Sequence, residues 1–177
     1  VLTFKDCMDA FPDGFKAMIG PILILTFAWT LSKMTNMLGA REYVSMIFEG
    51  SASHMMALLP AIVFVVAIFL AFSTGTSWGT FGILLPIVAG INLPSELLVI
   101  TVSACLAGAV CGDHCSPISD TTIMSSAGAR CDHINHVTTQ IPYVVLAASV
   151  SFVGYCIAGT VQNAWIVLAI CILILLA

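Results

Sequence analysis

The chain has 177 residues, of which 60% are hydrophobic and 8% charged, with a formal net charge of -4 and a mean hydropathy of +1.10. Soluble domains carry about 25% charged residues, and no soluble core of this size hides so much apolar surface, so lipid is the implied solvent. The charges are scattered and form no basic stripe, which excludes nucleic acid as an expected partner.

The chain starts "VLTFKDC" and ends inside the apolar run "AICILILLA", so it reads as a piece of a longer membrane protein. Residues 1–16 are mixed and read as an amphipathic or loop lead-in. Residues 17–38 form the first spanning candidate, since ~20 residues rising ~1.5 Å each cross a hydrocarbon core of ~30 Å. Residues 39–54 are a polar connection. Over 55–93, an apolar helix runs into "STGTSWGTFG" and then a second run too short to span, the pattern of a re-entrant hairpin. Non-helical backbone at that depth is tolerated only where it faces protein or water.

Residues 95–128 read as one helix broken by "GDHCSPISDTT", with Ser95 as its expected cap and Glu96 favouring its first turn. A polar loop, "RCDHINHVTTQ", is expected next, then a span over 137–158 and a last helix from 164 to 177. The fold class is therefore an all-α polytopic membrane protein, one transmembrane domain over 1–177. Loop parity places Lys5, Lys16 and Arg130 on one face and Arg41 on the other, and the positive-inside rule puts the first three in the cytoplasm.

The break carries the chemistry. Pro117 has no N–H, so a helix through it would leave the Asp113 carbonyl without its partner, and the chain is expected to unwind between Gly112 and Ser119. Orphan carbonyls, the hydroxyls of Ser116, Ser119 and Thr121, and the carboxylates of Asp113 and Asp120 make an all-oxygen set suited to a hard cation such as Na+. Thr76 and Ser77, in the other break, are further neutral oxygens, and His114 is placed to tune or share a proton. A carboxylate withdrawn from water holds a proton or a metal ion but not easily both, and ionisable residues inside a membrane default to a functional reading. Proton/cation exchange follows from that competition.

Two motifs, "GAVCG" and "GTSWG", also fit the G-x-x-x-G pattern of close helix packing. The seven cysteines read as small buried hydrophobes rather than a disulfide framework. A rival reading is an intramembrane zinc-dependent enzyme using Cys111, His114, Cys115, Cys131, His133 and His136. Those spacings lack the Cys-x2-Cys pairs of structural zinc sites, so no zinc is expected. His133 and His136 are expected in a solvated loop beside Arg130 and Asp132.

The segments "GTSWGTFGILLP" at 75–86 and "GAVCGDHCSPISDTTIMSSAGARCDHINHVTTQIPY" at 108–143 resemble the signature segments of the NhaC-type Na+/H+ antiporters, and "ILILTFAWTLSKMTNMLGAREYV" resembles the family's preceding helix. The resemblance implies two inverted repeats, each with a re-entrant hairpin and a broken helix, of which this chain matches the C-terminal one. It implies a hairpin tip at Ser73, Thr74, Gly75, Thr76 and Ser77, and an unwound link from Gly112 to Thr121; the residues in that link place the expected Na+ at Asp113 and Asp120. It further implies a multi-pass protein of the cell membrane with no cofactor. The expected partners are Na+, H+, membrane lipid, the missing N-terminal repeat and, in a homodimer, a second copy. Some relatives exchange organic acids with cations, which leaves a Na+-coupled malate/lactate exchanger as the alternative.

Overall fold

Small residues decide how closely the helices of this chain approach one another. The computed structural model describes residues 3–39 and 53–176, and these are all-helical, without strands. In chain order the helices are α1 (Phe4–Met37), α2 (Ser53–Thr74), α3 (Ser77–Gly90), α4 (Ser95–Cys115), α5 (Asp120–Gly128), α6 (His133–Val161) and α7 (Ala164–Leu176). The polar connection at 39–54, with Arg41, falls almost wholly outside the described residues.

The central contact is α2 against α4. Gly108 and Gly112 lie one turn apart on α4, and a Cβ on either would run into the backbone carbonyl of Phe64 or of Ile68 on α2. Only glycine allows that approach, so "GAVCG" is a packing motif here. Ala67, Ala71 and Ala109 are fully buried at this crossing, with Phe81 and Leu84 of α3 packed against them. Helix α6 closes on α2 in the same way, because a Cβ on Gly159 would meet the Ala57 carbonyl. Phe64 and Tyr155 pack between these helices in a tilted arrangement, ring centroids 5.1 Å apart.

Among the described residues, three helices are long and apolar enough to cross a membrane: Met55–Thr74, Ser95–Cys115 and His133–Val161. Their outer faces, and most of α7, leave large apolar side chains exposed. A soluble protein does not present such a surface, and with this composition the chain is a membrane protein.

The helix ends decide one expectation and correct two. The lead-in over 1–16 is helical from Phe4, because Thr3 and Asp6 form a reciprocal cap: Thr3 N donates to Asp6 Oδ2 (2.8 Å) and Asp6 N donates to Thr3 Oγ1 (3.3 Å). Ser95 is the first helical residue of α4 rather than its cap, a position held by Pro94 without a side-chain bond. The polar stretch expected as a loop is helical from His133. Asp132 caps α6 by accepting from Asn135 N (2.8 Å), and Thr138 and Thr139 return their hydroxyls to carbonyls of the same helix.

Candidate functional site

Two interruptions of the helical chain meet. The first lies between α2 and α3. Gly75 turns the chain with φ of 65°, in the left-handed region that favours glycine, and Thr76 then caps α3 by accepting from Gly79 N (3.3 Å). The second lies between Cys115 and Asp120. They are in direct contact: Ser116 Oγ donates to the Phe72 carbonyl (2.7 Å), and a Cβ on Gly75 would stand 2.8 Å from the Ile118 oxygen.

Asp113 sits in the last turn of α4 and is 4% exposed. Its Oδ1 accepts from Ser119 Oγ at 2.7 Å, and Ser119 Oγ lies 2.7 Å from Thr121 Oγ1. Ser119 has one hydroxyl hydrogen and donates it to Asp113, so Thr121 is the donor of the second bond. Ser116 and Ser119 are fully buried. The C-terminal end of α4 adds partial negative charge beside Asp113. Among the described residues the ion pair present is the exposed Lys16–Asp13, so the Asp113 carboxylate has no cationic side chain as partner.

Several expected details come out differently. The Asp113 carbonyl is not orphaned by Pro117, because the chain tightens and Ser116 N donates to it at 3.1 Å. Asp113 also has a structural task, since its bond to Ser119 ties the end of α4 to the start of α5. Asp120 is exposed, as the first residue of α5, and its carboxylate takes no hydrogen bond among the described residues. Thr121 is exposed but joined to the cluster through Ser119. Ser73 and Thr74 return their hydroxyls to the Phe69 and Leu70 carbonyls of α2, and Ser77 is half-buried at the start of α3. His114 is exposed, donates Nδ1–H to the Val110 carbonyl (3.0 Å), and lines a separate groove between α4 and α6 with Val144 and Ala147.

The zinc ligand set does not assemble: among the described residues no three of His, Cys, Asp and Glu converge on a metal position. His114 is turned into the α4–α6 groove, and His133 is engaged elsewhere. His133, expected in a solvated loop, is half-buried with Nε2 2.7 Å from the Pro117 carbonyl and Nδ1 3.0 Å from Ser126 Oγ. Thr122 and Ser126, not singled out by sequence, are buried at the same junction, and Thr122 donates to the His114 carbonyl (3.3 Å). The available signal was the breaker itself: an unwound segment must find donors for its carbonyls, and the nearby polar residues supply them.

The family model of the Na+/H+ antiporter family matches residues 1–160. An uncharacterized protein of Haemophilus influenzae is 53% identical over 148 residues, covering 82% of this chain and 28% of that protein. An uncharacterized Na(+)/H(+) antiporter of the same organism is 32% identical over 83% of this chain and 32% of its own length. The malate-2H(+)/Na(+)-lactate antiporter of Bacillus subtilis is 26% identical over 89% of this chain and 34% of its own length. The chain thus spans about a third of the curated relatives it matches. No solved structure matches it.

Proposed function

The chain belongs to the Na+/H+ antiporter family, and from that premise we propose that it forms part of a secondary transporter that exchanges Na+ for H+ at Asp113. The observation that carries this reading is a buried carboxylate, without a cationic side chain as partner among the described residues, at the point where two helix interruptions touch. Burying a lone carboxylate is costly unless a cation or a proton accompanies it. Whichever arrives displaces the need for the other, and alternation between the two is exchange. Asp113 is the shared site, and Ser116, Ser119 and Thr121 supply neutral oxygens around it. Asp120 and His114 stand outside this cluster and are second-rank candidates for Na+ and H+.

In the membrane, α2 and α3 read as a re-entrant hairpin. The 14 residues of α3 rise ~21 Å, short of a hydrocarbon core of ~30 Å. Helices α4 and α5 read as the two halves of one broken helix, and the Ser73–Ser77 tip faces the break. The rest of a protein about three times this length supplies the other walls of the site, in a multi-pass protein of the cell membrane.

The test is to reconstitute the full-length protein in liposomes and impose a Na+ gradient. Na+-driven proton movement, absent when choline replaces Na+, supports the reading, and its absence rejects it. A second reading, Na+-coupled exchange of organic acids, is favoured by the relative named as a malate/lactate antiporter. Exchange that requires malate or lactate across the membrane would select it.

A further inference from the structure

The 116–119 segment is held by three side-chain hydrogen bonds that reach three helices. Ser116 Oγ binds the Phe72 carbonyl of α2 (2.7 Å), Ser119 Oγ binds Asp113 of α4 (2.7 Å), and the Pro117 carbonyl is bound by His133 of α6 (2.7 Å). The first two involve residues already assigned to the site. The third does not.

The Pro117 carbonyl takes no backbone donor among the described residues. Its partner is the His133 ring. A carbonyl only accepts, so Nε2 must carry the hydrogen. At the other end of the ring, Nδ1 faces Ser126 Oγ, a buried hydroxyl also 2.9 Å from the Ile123 carbonyl. In the neutral ring Nδ1 accepts from Ser126. In the charged ring it donates to Ser126, which then turns its hydrogen to Ile123. Both states keep the Nε2–H bond to Pro117. The ring itself is fixed to α6 at its first residue, directly after the Asp132 cap.

We propose that His133 is a positioning residue for the cation site, holding the Pro117 carbonyl so that the 116–119 segment presents the oxygens of Ser116 and Ser119 beside Asp113. The inference rests on the proposed cation site. Without the Nε2–H donor the half-buried carbonyl loses its protein partner, and the segment shifts to find another. A shift of the ligand oxygens weakens cation binding more than it slows turnover at saturation.

The conservative variants separate the two ring nitrogens. His133→Gln places an amide nitrogen where Nε2 sits, and His133→Asn places one where Nδ1 sits. In the full-length protein, His133→Gln keeps the half-saturating Na+ within about twofold of wild type, while His133→Asn and His133→Ala raise it about tenfold, the usual cost of losing an outer support of a metal site. The second readout is amide hydrogen exchange at Ser116, Ile118 and Ser119. It is faster in the Asn and Ala variants and unchanged in His133→Gln and in Ser126→Ala, which keeps the Pro117 bond. Asn and Ala variants that match wild type in both readouts overturn the proposal, and so does a Gln variant as impaired as Ala. If His133→Ala does not accumulate, the Gln–Asn contrast decides. Should wild type show no Na+/H+ exchange, the transport reading fails, and the amide-exchange pattern still decides the positioning role.

Discussion

Ser119 donates its hydroxyl hydrogen to Asp113 Oδ1 across 2.7 Å, from the residue just before α5 to the last turn of α4. This bond gives the buried carboxylate a fixed position and leaves its other oxygen for a ligand. It also means that the acid and the shape of the interruption cannot be changed independently.

Removing that bond has a predictable cost. Hydrogen bonds to a charged group contribute about 1.5–3 kcal/mol, so Ser119→Ala lowers the stability of the full-length protein by about that amount and raises its half-saturating Na+. Ser125→Ala is the control. Its exposed hydroxyl only returns to the Thr121 carbonyl of its own helix, and its effect stays within about 0.5 kcal/mol. Thermal unfolding in detergent reads both.

The α2–α4 crossing tolerates no side chain at Gly112. Gly112→Ala drives its Cβ into the Ile68 carbonyl, which is backbone and cannot turn aside. Overpacking of this kind costs about 1–3 kcal/mol or more. Gly14→Ala meets nothing within 4 Å and lies in the helix α1, so the same change there is neutral or stabilising by up to about 1 kcal/mol. Expression and unfolding temperature of the two variants separate packing from helix propensity.

Gly75 joins the two interruptions, and its replacement tests their contact. At φ of 65° an L-residue costs about 1–2 kcal/mol, and the added Cβ would also press on Ile118 at 2.8 Å. Gly75→Ala is expected to lose most Na+-driven proton movement while still reaching the membrane. Gly128→Ala, where the Cβ meets nothing within 4 Å, is expected to retain it.

The helical class and the small-residue crossing were legible because both depend on local pattern: long apolar runs, and glycines four apart. The non-helical backbone at 116–119 was legible from Pro117 for the same reason. What replaced the lost helical bonds was not. Whether the Asp113 carbonyl stays open depends on whether the chain tightens locally, and the Ser116 N–H closes it. His133 looked like a loop residue because its neighbours are polar. Its ring finds Pro117, sixteen residues earlier, only once α5 and α6 fold back, which no local pattern encodes. The sequence separates Asp120, at a helix start, from Asp113, in the last turn before the break, but it does not show that one is buried and the other exposed. Their difference in burial comes from where α4 ends and α5 begins.

The exposed position of Asp120 separates it from Asp113 functionally. Asp120→Asn removes a charge from the first turn of α5, where it favours the helix by about 0.3–1 kcal/mol, and leaves the Ser119–Asp113 bond intact. A modest fall in stability with exchange largely preserved is the expected outcome, read by unfolding temperature alongside transport in the same preparation.

The most direct test of the account is Na+-driven proton movement by Asp113→Asn in vesicles containing the full-length protein at matched expression, followed over several pH values. The change keeps the shape of the side chain and its acceptor for Ser119 while removing the group that a proton and a cation compete for. The account predicts that exchange falls to background at every pH, with the protein still folded. Near-normal exchange by Asp113→Asn would contradict it.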